Sequence, residues 1–509
     1  MIDHARSIGA RARFARVIAV TDFYSQQPAW LTSDFDPRVE LATIEVPLDY
    51  SRPDGERITL AISRIKCSDA TKRRGILLSL NGGPAGNWGG GVKLPLRFAY
   101  TPLGQYYDLI GLDPRGTGGS TPLWREDPQP AAGFNTRPSD EDFAVIADDA
   151  RRMYEGCARI GGPLREQITS ANIARDIDII RGVLGEEKLS FVAYGGPTYN
   201  GAVYGTMFPA RVDRMVLDSS RNPDIDWRGQ FHSQVPAIYE NVDAWAEWVG
   251  ERNIRFGLGT TKAAVLAAAE EAAFATDTSS FDVGMGIGTR HRPLWAIAAD
   301  AIAELRSPTA ANADAHAAVQ KLASQDAWAP GEPKERVQSV TEAATCEDDW
   351  PTDLETYYAD MRIAREKYPY GYGVSRFQPW VGTFWTDRKM EKPPEIKRDG
   401  FDPGVVVHGI GNTMLQHAGG EAMAKRLGFS LISVVDEGQN EIFAVRGNKE
   451  VDDYVYQYLI DGVLPSERVT CAGPSRPDVA TDSAGGATGS GAGTLLTQID
   501  EWAAANRSW

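Results

Sequence analysis

Long apolar runs are missing from this 509-residue chain. No stretch of about 18 consecutive apolar residues occurs, the length a bilayer-spanning helix needs, so no membrane partner is expected. The N-terminal MIDHARSIGARARFARVIAV lacks the apolar core and small-residue cleavage site of a signal peptide, and a cytoplasmic location is expected. Cysteine is scarce: Cys67, Cys157, Cys346 and Cys471 are widely spaced and form no CxxC pair. That spacing points to buried thiols rather than a metal cluster or a disulfide framework, and neither a metal nor another cofactor is expected. Positive charge is in deficit, with 53 basic against 69 acidic residues and a formal charge of −16. Such a field repels phosphate backbones, so nucleic acid is excluded as a partner.

What is present suits a large globular protein: 42% of the residues are hydrophobic, enough for an extended core. Two alternating apolar runs around Pro53-Asp54-Gly55, from Val46 to Cys67, predict a β-hairpin. GILLSL (75–80), YYDLIGLD (106–113), LSFVAY (189–194), RVDRMVLDSS (211–220), GVVVHG (404–409) and SLISVVD (430–436) read as buried strands. Helical patterns cover residues 140–161 and 170–185, and strand–loop–helix repetition predicts an α/β fold with a doubly wound, mostly parallel sheet.

The Ala-, Glu- and Arg-rich stretch between the fourth and fifth of those runs is too long for a loop and predicts an inserted helical cap. The expected organisation is a core over 1–221 and 399–471, a cap over 222–398, a flexible Gly/Ser-rich linker over 472–493 and an amphipathic helix over 494–509. That last helix could dock on the body or on a second subunit of a homo-oligomer. The cap holds eight of the thirteen tryptophans, Trp350 among them, which suits packing against the core or a large, flat, apolar substrate.

Four segments, VPLDYSRPDG (46–55), NGGPAGNWGG (81–90), YYDLIGLDPRGTGGS (106–120) and the block from Ser170 to Asp218, together with YLIDGVLPSERVTCAG (458–473), resemble the tripeptidyl-aminopeptidase-like branch of the α/β-hydrolases, near the prolyl-aminopeptidase group. The resemblance spans nearly the whole chain outside the cap and implies an α/β-hydrolase fold. It also implies three substituted positions. The elbow that carries the family's serine reads Tyr194-Gly195-Gly196-Pro197, with glycine at the nucleophile. The acid position is Asn412 and the histidine position, after Gly438, is Gln439. His408 and His417 lie near the acid loop but are offset from the base position. Secreted members pair a cysteine ahead of the YLIDGVLP-like segment with one after it, whereas only Cys471 stands here.

The oxyanion loop largely survives as Gly82, Gly83, Pro84, Ala85 and Gly86, followed by the bulky Asn87 and Trp88. It either retains carbonyl or anion binding or serves as a structural turn. Tyr194, Asn200, Asn412, Gln439 and Asn440 supply the polar groups around the elbow, and Gly83, Asn87, Trp88, Gly196, Asn200, Asn440 and Trp350 are the expected substrate contacts. None of these is a general base near neutral pH. Glu347, Asp348 and Asp349 form an acidic turn in the cap; in aminopeptidase relatives, cap carboxylates read the amino end of the substrate.

A site without nucleophile, acid and base predicts a non-hydrolytic enzyme of natural-product biosynthesis, acting on an electron-rich aromatic or polyketide-like small molecule. Cofactor-independent oxygenation, with dioxygen as co-substrate, is the leading expectation. Carbon–carbon bond formation or cyclisation, a silent binding or self-resistance protein, and a residual serine-type aminopeptidase are the alternatives.

Overall fold

A computed structural model describes residues 22–87, 90–307, 313–324, 334–484 and 494–506. Ten strands form one sheet: β1 Leu31–Thr32, β2 Glu40–Pro47, β3 Arg57–Ile65, β4 Ile76–Leu80, β5 Asp108–Asp113, β6 Leu189–Tyr194, β7 Val212–Asp218, β8 Val405–Gly409, β9 Ser430–Val435 and β10 Arg468–Ala472. Their order is β1-β2-β3-β5-β4-β6-β7-β8-β9-β10. β2 and β3 pair antiparallel with Pro47 opposite Arg57, the expected hairpin, and every pair from β5 to β10 is parallel. β4, β6 and β8 are buried at every residue, as strands covered on both faces must be.

After β4 the chain steps to one side to make β5, then returns past β4 to make β6. The connections diverge there, so a crevice opens at the carboxyl ends of β4 and β6. One face of the sheet packs on α1 Ser170–Val183 and α2 Thr198–Met207, the other on α3 Lys449–Asp461. Between β7 and β8 lies the helical cap, beginning with the long helix Trp227–Gly250 and centred on its own core around Trp245 and Trp295.

Residues 473–484 correct the expectation of a flexible linker over that stretch. Val479 packs on the cap core and its carbonyl accepts from Arg252 Nε at 2.8 Å, while Asp482 Oδ1 accepts from Ile254 N at 3.0 Å. Residues 485–493 lie outside the described residues. The helix Leu495–Asn506 docks on the cap of its own chain, with Leu495 and Ile499 buried in the cap core and Leu495 N donating to Asp314 Oδ2 at 3.0 Å. The four cysteines are free. No helix among the described residues is long and apolar enough to cross a membrane.

A buried ion pair fixes the hairpin to the crevice. Arg115, at the end of β5, reaches Asp176 on α1 through two hydrogen bonds of 2.7 Å. It also donates to the carbonyls of Leu48 and Pro47, and Tyr50 Oη donates to Asp176 Oδ1 at 2.7 Å. Both side chains are essentially inaccessible, so each charge depends on the other for its stabilisation.

A second clamp holds the loop after β9. Asp218, ending β7, accepts from Ile442 N at 2.8 Å and Phe443 N at 2.7 Å through one carboxylate oxygen and from Ser219 Oγ at 2.8 Å through the other. Burial pushes this carboxyl up to about 7 in spite of those donors.

Arg115→Met should cost about 3–5 kcal/mol in urea unfolding, because it strands a buried carboxylate, and Arg115→Met with Asp176→Leu should cost less than the single change. A carboxyl whose folded pKa exceeds its unfolded value of ~3.9 binds a proton on folding, so its contribution to stability is lost as pH rises from about 4 to about 7. Asp218→Asn should flatten the stability–pH curve across that window by up to ~1.4 kcal/mol per pH unit.

Candidate active site

β6 runs into a sharp turn at Gly195, whose φ of 62° lies in the left-handed region, and α2 begins three residues later. The turn is held by Gly195 N donating to Asp218 O at 2.9 Å and by Thr198 Oγ1 donating to Gly195 O at 2.6 Å. Thr198 is thereby occupied as a helix-start clamp and supplies no displaced nucleophile. A β carbon on Gly195 would lie 3.7 Å from Gly82 Cα and Leu415 Cδ1 and 4.0 Å from Gly83 N, all ordinary contacts. A β carbon on Gly196 would lie 2.5 Å from Gly83 O, which no side chain tolerates. The elbow therefore has room for a side chain at its tip and none beside it. Among the described residues no acceptor engages the N–H of Gly83 or of Gly196. These two donors belong to the loop after β4 and to the residue that follows the tip, the two places from which an oxyanion hole of this fold draws its donors.

Opposite the elbow two neutral amides face each other. Asn412 Nδ2 donates to Asn440 Oδ1 at 2.6 Å, and Asn412 Oδ1 accepts from Met414 N and Leu415 N, both at 3.1 Å. This corrects the assignment of Gln439 to the position facing the acid. Glu437 Oε1 takes the backbone N–H of Gln439 at 2.8 Å, Glu441 turns the chain at a φ of 61°, and Asp218 anchors the two residues that follow. Those constraints present Asn440 to Asn412. Gln439 instead lines a separate cavity with Arg290, His291 and Trp502. His408 and His417 pack on each other, ring centroids 5.8 Å apart, and His417 Nε2 meets Ser433 Oγ at 2.8 Å. Burial pushes His408 down to about 4.

Three further expectations fail for reasons of packing. Tyr194 points into the core, donates to Phe443 O at 2.9 Å and lies under Arg97, and burial holds its phenol far above its usual range, so its hydroxyl is committed to the core. Asn87 is buried and gives its amide to Val337 O at 2.7 Å and Thr341 Oγ1 at 2.6 Å, clipping the loop after β4 to the cap. Trp350 donates to Thr345 O at 3.0 Å and packs with Phe231 and Trp380 inside the cap. Trp88 lies outside the described residues.

A narrow cleft opens beside the elbow, lined among others by Gly196, Tyr199, Asn200, Arg221, Trp227 and Glu347. Its free volume of about 10 Å³ is the room of one water molecule. Glu347 is buried here rather than solvated: its carboxylate accepts from Ser170 N at 3.0 Å and Ser170 Oγ at 2.9 Å, and Arg221 stands 3.6 Å away. Burial, opposed by Arg221, pushes it up to about 7. Asp348 accepts from Arg221 at 2.8 Å, whereas Asp349 is solvent-exposed beside Lys392. The guanidinium of Arg221 is sandwiched between the rings of Tyr199 at 4.4 Å and Trp227 at 4.1 Å. Arg221 was not anticipated from the sequence, which singled out Trp227 only as one of the eight cap tryptophans; the signal available was an arginine three residues after the buried strand β7.

No family model matches the chain. It is 28% identical to a tripeptidyl aminopeptidase of Streptomyces lividans over 93% of its own length and 92% of that protein's. It is 29% identical to a tripeptidyl aminopeptidase of Streptomyces coelicolor, covering 86% and 84%, and 25% identical to serine protease Hip1 of Mycobacterium tuberculosis, covering 92% and 94%. Among solved structures, a thermophilic esterase from Thermogutta terrifontis aligns over 86% of this chain and 99% of that one at 12% identity, with a TM-score of 0.33.

These relatives overturn the expectation of a natural-product enzyme performing oxygenation, carbon–carbon bond formation or cyclisation, since they are named as peptidases and a protease. By its strand order and the elbow at the switch of the sheet, the chain has the α/β-hydrolase fold, and its homologues include tripeptidyl aminopeptidases.

Proposed function

We propose that the protein is an aminopeptidase-like hydrolase acting on the amino-terminal segment of peptides, in which a water molecule takes the place of the missing side-chain nucleophile. The observation that carries this reading is Gly195, held at a φ of 62° with its open tip 4.0 Å from Gly83 N. The framework for presenting a nucleophile to an oxyanion hole persists around an absent hydroxyl. Water adds to the carbonyl, its oxygen gathers negative charge against the N–H groups of Gly83 and Gly196, and the amine leaves with the proton given up by that water. Asn412 and Asn440 are neutral at working pH and serve to shape the site without moving protons. Oxyanion-hole binding without a triad leaves roughly 10³–10⁴-fold acceleration over water in comparable serine enzymes, which sets a slow enzyme as the expectation.

The amino end falls to the cap. Glu347 and Asp348 against the single guanidinium of Arg221 leave one excess negative charge beside the elbow when both carboxyls are ionised, which attracts an ammonium group.

Wild-type protein should hydrolyse a tripeptidyl p-nitroanilide slowly and be indifferent to serine-directed inhibitors. Gly195→Ser with Asn412→Asp and Asn440→His should raise kcat by at least ~100-fold and confer inhibitor sensitivity, and the same variant with Gln439→His in place of Asn440→His should gain less. Inhibition of the wild type by such a reagent would sink the reading. Because Glu347 ionises near 7, affinity for a free amino terminus should rise as pH increases from 6 to about 7.5, and Glu347→Gln should abolish that rise in a calorimetric titration.

A further inference from the structure

The cleft beside Gly196 holds an unusual concentration of donors. Asn200 Nδ2, Arg221 Nε and Trp227 Nε1 are all buried and, among the described residues, have no hydrogen-bond partner. Their side chains are 4%, 2% and 6% exposed, so solvent at the surface does not satisfy them. A buried donor without an acceptor is costly, and three lining one void is a arrangement that an incoming oxygen atom would relieve. The void matches one oxygen in size, at about 10 Å³.

The field decides which kind of oxygen. Arg221 already faces Glu347 at 3.6 Å and Asp348 at 2.8 Å, so the positive charge in the cleft is spent on two carboxylates. With Glu347 ionised, a third carboxylate or a phosphate would meet an excess negative charge at close range, whereas a neutral amide carbonyl would meet only N–H dipoles. Resting on the peptide reading above, we propose that this cleft receives one main-chain carbonyl oxygen of the bound peptide through Asn200 Nδ2, Trp227 Nε1 and Arg221 Nε. It would thereby fix the register of the amino-terminal segment relative to the elbow. The glutamate and aspartate that hold the amino end and the donors that hold the carbonyl then belong to one site, with Arg221 shared between them.

The test is calorimetric titration with the amide of tri-alanine, on wild type, Asn200→Leu and Trp227→Phe, with sodium acetate as an anionic comparator at equal ionic strength. The expected result is roughly 3- to 10-fold weaker binding of the peptide amide by each variant, no displacement of it by acetate, and a Tm of ligand-free Asn200→Leu equal to or above that of the wild type, since that change deletes an unpaired buried donor. Peptide binding unchanged in both variants, or displacement by acetate, overturns the carbonyl site while leaving the peptide reading in place. A lowered Tm for Asn200→Leu with unchanged affinity also overturns it, by showing that the amide is satisfied within the folded chain. Absence of any binding by wild type overturns the peptide reading and the carbonyl site with it.

Discussion

The site depends on the approach of two glycine turns. Gly196 stands so near the carbonyl oxygen of Gly83 that a β carbon there would lie at 2.5 Å, a contact no packing adjustment of a backbone atom relieves. That approach is possible because β4 and β6 are hydrogen-bonded neighbours whose following loops leave the sheet at the same end. It sets the distance from the Gly83 N–H to the tip of the elbow and so fixes where negative charge would be stabilised. The left-handed turn at Gly195 then exposes its tip to the crevice instead of to the sheet. Neither feature needs a serine to exist, which is why the framework stands with glycine at its tip.

The ion pairs nearest this framework lie between the end of β7 and the cap. In the loops that face the crevice, the amides of Asn412 and Asn440 bond to each other at 2.6 Å. Two carboxyls near the elbow, Glu347 in the cleft and Asp218 beneath the loop after β9, are raised to about 7 by burial. Asp218 is structural, since its oxygens collect backbone donors of the loop that carries Asn440. Glu347 borders the void itself, so its charge state bears on what enters. Arg221 joins the two halves of the molecule, extending from the end of a core strand to the cap carboxylates.

Much of this was legible before any coordinates. Runs such as LSFVAY and GVVVHG are continuous apolar segments, and only strands covered on both faces need that composition. The elbow and the acid position could be placed because each is anchored by a motif on both sides. Other assignments rested on residue type alone and were overturned by packing. Tyr194 and Asn87 are polar residues beside the elbow, yet one is turned into the core and the other into the cap. The Gly- and Ser-rich stretch after β10 has a linker's composition, yet its first part is tied to the cap by hydrogen bonds between side chain and main chain that composition does not encode.

The sequence by itself determined the apolar runs that become the buried strands and the glycine that follows LSFVAY, because these follow from residue identity. The tertiary structure alone decided that Asn440 and not Gln439 faces Asn412. A one-residue difference of side-chain direction in a loop is set by the clamps of Asp218 and Glu437, which lie far apart in the chain. It alone also decided that Asn200, Arg221 and Trp227 line one void. Their convergence depends on how the cap settles on the sheet, and no local pattern of residues carries that information.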